Sequence, residues 1–79
     1  MNNLNNNEVN LIKELKKAIT LQPDFVPLLR IAGYYYELIG EQEKAIEIFA
    51  HILELYPGEP VWQKYATRIA EYNKNKTMQ

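Results

Sequence analysis

Gly33, Tyr36, Ala45, Phe49 and Pro57 constrain this chain more than any other set of its residues. A bare glycine, an aromatic one helical turn later, an alanine, a second aromatic and a closing proline describe two helices that cross closely. Glycine carries no side chain, so a neighbouring helix can approach its backbone. Ala45 is the small residue opposite, and Tyr36 and Phe49 fill the space on either side. A leucine at Gly33 would overpack the crossing at a cost of about 1–3 kcal/mol or more. Pro57 ends the pair, because proline cannot continue a helix.

Apolar residues at helical spacing predict four helices around this crossing. The first covers residues 8–21, with Leu11, Leu15, Ala18 and Ile19 inward, Ile12 on the flank and Lys13, Lys16 and Lys17 outward. Asn7 is its predicted cap, and Pro23 ends it. The second covers 25–39, with Asp24 as cap, Pro27 in the first turn and Gly40 as a left-handed terminator. The third covers 42–56, with Ala45, Ile46, Phe49, Ile52 and Leu53 inward. Pro57 and Gly58 stop it. The fourth covers 60–72, with Glu59 near its cap and Trp62, Tyr65, Ala66 and Ile69 as its apolar stripe. Links this short force successive helices to lie antiparallel. The expectation is an all-α, antiparallel array of four helices over residues 8–72. An asparagine-rich disordered tail over 1–7 and a frayed tail over 73–79 flank it.

Leu29, Ala32, Gly33, Tyr36, Gly40, Ala45, Phe49 and Pro57 follow the order of a repeat of about 34 residues. The stretch 26–59 resembles the tetratricopeptide repeat, with Leu29 for its tryptophan, Ala32 for its leucine and Tyr35 at a usually small position. Thirty-four residues before Ala45, Phe49, Ile52 and Pro57 stand Leu11, Leu15, Ala18 and Pro23. The first helix therefore resembles the second half of an earlier repeat. Trp62, Tyr65, Ala66 and Ile69 fit the first half of a later one if the linker has lost one residue. The resemblance runs from Leu11 to Ile69. It implies a stacked helical scaffold that holds other proteins, with the first helix of each repeat lining a concave groove.

On that pattern Arg30, Tyr34 and Glu37 face the groove. The second helix also carries a second apolar stripe of Ile31, Tyr34, Tyr35 and Leu38, where a helix in a small soluble protein should be polar. Two readings stand for Ile31, Tyr35 and Leu38. They pack on neighbouring helices of the chain, or they meet a partner. An unpaired first helix favours self-association, as a two-fold dimer. One branch of the family grips C-terminal carboxylates with basic and asparagine side chains. Arg30 stands at one basic position, but Tyr34 stands where the asparagine falls. Lys64 and Arg68 face the groove in the strict 34-residue register and solvent in the one-residue-shifted register. The shifted register puts the bulky residues on one stripe and is preferred.

Other chemistry has little to work with. The only histidine, His51, shares the third helix with Glu47 and Glu54, too few ligands for a metal site. Glu41, Glu43 and Glu47 read as the acidic opening of a helix. The chain has no serine and no cysteine. Thr20, Thr67 and Thr77 have no histidine at suggestive spacing, so no nucleophile, base and orienter can be assembled. Neither catalysis nor a cofactor is expected. A formal net charge of −1 argues against a dedicated nucleic-acid binder. No apolar run approaches the ~18 residues of a membrane span. A short cysteine-free chain lacks disulfide and thiolate staples, so regular packing or association must stabilise it. The expectation is a cytoplasmic protein-interaction module that binds a protein or peptide, or a second copy, through Arg30, Ile31, Tyr34, Glu37, Leu38, Lys64 and Arg68. The alternative is a purely structural subunit whose role is homo-oligomerisation.

Overall fold

The computed structural model describes residues 5–77. Four α-helices follow one another: α1 (Asn6–Leu21), α2 (Val26–Leu38), α3 (Gln42–Leu55) and α4 (Gln63–Thr77), the last preceded by a 3₁₀ turn at Pro60–Trp62. The described residues contain no strand. Consecutive helices pack against one another, most extensively α2 on α3 and then α3 on α4, while α1 touches α2 more lightly.

The ends of α1 and α4 differ from expectation. Asn5, not Asn7, caps α1. Its side chain accepts the Glu8 N–H at 2.8 Å, and the Glu8 carboxylate accepts the Asn5 N–H at 3.0 Å. This reciprocal pair satisfies two otherwise orphaned donors, so the asparagine-rich stretch is helical from Asn6 onward. Residues 1–4 of the expected disordered tail lie outside the described residues. At the other end α4 runs through Thr77 rather than stopping at Tyr72. Lys74 and Lys76 in its last turn oppose the negative end of the helix dipole. Residues 78 and 79 lie outside the described residues.

The links follow their turn residues more closely. Gly40 has φ 87°. Its N–H donates to the Glu37 carbonyl, and the Glu41 N–H donates back to the Tyr36 carbonyl at 2.8 Å. That pairing closes the end of α2 and needs a residue at positive φ. Asp24 does not cap α2. The cap position is Phe25, which makes no side-chain bond to the helix. The Asp24 carboxylate instead accepts from His51 Nε2 at 3.0 Å, beside the Pro23 carbonyl at 3.1 Å. This contact ties the α1–α2 link to α3 across 27 residues of sequence.

The core sits between α2, α3 and α4. Leu29, Tyr36, Ala45, Phe49, Ile52 and Tyr65 are buried, with Val26 beside them. Leu15 is the one buried residue of α1. Leu11, expected inside, is 44 % exposed, and Ile12 packs on the core instead, together with Ile19. Gly33 is buried within α2. A Cβ built on it would lie 2.5 Å from Phe49 Cε1 and 2.9 Å from Cζ. The close crossing expected from the sequence is therefore present, with the Phe49 ring against the bare backbone. Behind Phe49 the Tyr65 ring stacks at 4.5 Å and 6°.

Candidate interaction face

α2 is braced on one flank by α3 and on another by α4. The bracing by α4 and the 3₁₀ turn that leads into it is a ladder of side chains in matching order along both segments. Arg30 lies over the Trp62 ring at 5.5 Å. The Tyr34 and Tyr65 hydroxyls stand 3.2 Å apart. Arg68 forms an ion pair with Glu37. The rungs ascend together, so α2 and α4 run parallel, with α3 reversed between them in the packing order.

Tyr34 is therefore not a free groove residue. Its ring meets Phe49 edge-on at 5.6 Å and 61°, and it tilts toward Tyr65 at 6.1 Å. The hydrogen bond with Tyr65 holds the Tyr34 phenol below its usual pKa, and Lys64 and Arg68 add to this against the opposing effect of burial. Burial pushes the Tyr65 phenol up, and the Tyr34 hydroxyl adds to that. Either hydroxyl can donate in the shared bond.

Arg68 turns onto α2 and is half-buried, contrary to the solvent-facing orientation that the preferred register implies, whereas Lys64 stays exposed while resting on the seam's rings. The Lys64 ammonium lies 5.5 Å from the Tyr65 ring and 6.0 Å from the Tyr34 ring. The Arg68 guanidinium lies 5.5 Å from the Tyr34 ring and 5.8 Å from the Phe49 ring. Glu37 holds Arg68 firmly in its charged form. The inward stripe of that register nonetheless stands: Tyr65 is buried, and Trp62, Ala66 and Ile69 are half-buried.

Ile31 and Leu38 are the two site residues left over. They lie seven positions apart, two turns of α2, so they share one stripe. Ile31 is 62 % exposed and Leu38 81 % exposed. Tyr35 is half-buried, with its hydroxyl buried and unbonded among the described residues. The seven sequence-predicted residues thus divide. Tyr34, Glu37 and Arg68 form the seam between α2 and α4. Arg30 and Lys64 are exposed above it, and Ile31 and Leu38 stand clear beside it.

Two members of this face were not among the predicted site residues. Trp62 and Tyr65 stood only as core positions, yet Trp62 carries Arg30, and Tyr65 carries Lys64 and bonds Tyr34. The Tyr34–Tyr65 and Glu37–Arg68 pairs share a separation of 31 residues, but that spacing emerges only from the packing, and Trp62 does not share it. Beyond the Glu37–Arg68 rung the seam opens into a cavity of ≈ 470 Å³ lined by Ala45, Ile46, Glu71 and Tyr72 among others.

The chain matches no protein-family model, and neither a curated protein nor a solved structure matches it. No helix among the described residues is long and apolar enough to cross a membrane.

Proposed function

We propose that this chain is a tetratricopeptide-like interaction module of the cytoplasm that docks a protein or peptide on the outer stripe of α2. One observation carries the reading: Ile31 and Leu38 remain largely exposed on a helix otherwise braced by its neighbours. Burying a large aliphatic side chain is worth about 1.5–3 kcal/mol, and α2 leaves two of them unburied on one stripe. Isolated exposed apolar residues are ordinary, whereas a stripe of them beside polar groups is typical of interfaces. The parallel placement of α2 and α4, with α3 between, supports the repeat-like part of the reading. The second reading, a homo-oligomerising structural subunit, rests on the same stripe.

Sedimentation of the wild type and of I31Q/L38Q at high micromolar concentration separates the two readings. Glutamine keeps helix propensity and adds no charge. A monomeric wild type supports docking of a separate partner. An oligomer that dissolves in I31Q/L38Q supports assembly. An oligomer that persists unchanged in the variant contradicts assembly through this stripe.

A further inference from the structure

Resting on the reading of α2 as a docking face, we propose that its occupant is an acidic amphipathic segment. Such a segment sets two apolar side chains on Ile31 and Leu38 and its carboxylates on Arg30 and Lys64. Arg30, Lys64 and Arg68 all lie over rings of this seam, where Glu37 is the carboxylate paired with Arg68, on a chain whose formal net charge is −1. Cations therefore outnumber carboxylates along this seam, although the chain as a whole is slightly acidic. Glu37 is engaged with Arg68, whereas neither Arg30 nor Lys64 joins an ion pair among the described residues. Both are held over aromatic rings instead. Arg30 also hydrogen-bonds Tyr65 and Lys64 hydrogen-bonds Tyr34; a cation held this way is pre-oriented, and the remaining N–H groups of a guanidinium or an ammonium can still meet an incoming carboxylate. Glu71 stands beyond Arg68 at the cavity end, so the carboxylate-accepting part is the Arg30–Lys64 end.

The same set fits a nucleic-acid strand poorly. Single-strand binders offer open ring faces for stacking on bases. Here the Trp62 and Tyr65 rings stack on each other at 5.7 Å and 11°, and Arg30 and Lys64 cover them. An apolar pair two helical turns apart suits an amphipathic peptide, which anchors side chains at that spacing.

The test uses the whole chain and a fluorescein-labelled helical peptide with two leucines spaced like Ile31 and Leu38, flanked by glutamates. Its controls are the same peptide with lysines for glutamates, a scramble of the acidic peptide, and labelled oligothymidylate. The acidic peptide is expected to bind, and to weaken as salt rises through the range where charges at contact are screened. R30Q/K64Q is expected to weaken it by about tenfold, the scale of two surface charge contacts. I31Q/L38Q is expected to abolish it. Circular dichroism confirms that both variants fold. Equal binding of acidic and lysine peptides, lost in I31Q/L38Q but not in R30Q/K64Q, overturns the acidic class and leaves the docking face standing. Acidic binding indifferent to I31Q/L38Q, or matched by the scramble, overturns the proposal. So does oligothymidylate binding that outcompetes the peptide. Failure of every peptide to bind overturns the proposal and counts against the docking face as well.

Discussion

The backbone of Gly33 lies so close to the Phe49 ring that a Cβ on the glycine would stand 2.5 Å from Cε1. The ring has little room to retreat, because Tyr65 stacks on it at 4.5 Å and Tyr34 meets it edge-on. Gly33 has no positive φ, so its backbone is ordinary helix. On propensity alone Gly33→Ala would stabilise α2 by about 1 kcal/mol. Overpacking costs about 1–3 kcal/mol and is expected to win. Thermal melting should show a loss for Gly33→Ala, each kcal/mol lowering the midpoint by about 4–8 °C. A raised midpoint would mean that α2 and α3 cross more loosely than described.

The Tyr34–Tyr65 bond is shared, so its loss should be counted once. Tyr34→Phe and Tyr65→Phe each keep the ring and remove one hydroxyl, at an expected cost of about 0.5–1.5 kcal/mol. The double variant should cost little more than either single one. Urea unfolding of the four proteins measures this as a double-mutant cycle. Fully additive losses would show that the two hydroxyls act separately.

His51 gives stability a defined pH dependence. The Asp24 carboxylate raises its pKa from 6.5, assisted by Glu54 and the Pro23 carbonyl and opposed by burial. A raised folded-state value means that protonated His51 favours the native chain. Its contribution is complete below the unfolded value of 6.5 and is lost as pH rises through the higher native value. His51 is 37 % exposed and Asp24 66 % exposed, so solvent screening limits the effect to about 0.2–1 kcal/mol. Urea midpoints across that window should fall for the wild type and stay flatter for Asp24→Asn. Equal slopes would show that the link between the α1–α2 turn and α3 does not depend on this charge.

Much of the fold is legible because its strongest signals are local. Pro23, Gly40 and Pro57 mark helix ends, and Gly33 with Phe49 marks the crossing through residue size alone. The Asn5 cap was legible in principle. Glu8 stands three residues beyond Asn5, which is the capping-box spacing, but a run of asparagines offers several candidates. The extension of α4 past Tyr72 carries no apolar periodicity, so nothing in its composition distinguishes it from a frayed tail. Tyr34 misled because α2 is packed by α3 and α4 on adjacent flanks. A residue one step from Gly33 then falls on a second seam rather than on open surface. Asp24 and His51 meet across 27 positions, and no local pattern signals such a contact.

The most direct measurement compares I31Q/L38Q with the wild type twice on the same samples, by thermal melting and by affinity capture from the native cell extract. Ile31 and Leu38 are held to be surplus to folding and necessary for docking. The expected result is a stability within about 0.5 kcal/mol of the wild type, as for an ordinary surface substitution, with loss of a protein that the wild type retains saturably. A melting loss on the scale of a core truncation, about 2–5 kcal/mol, or an unchanged set of captured proteins, would contradict it.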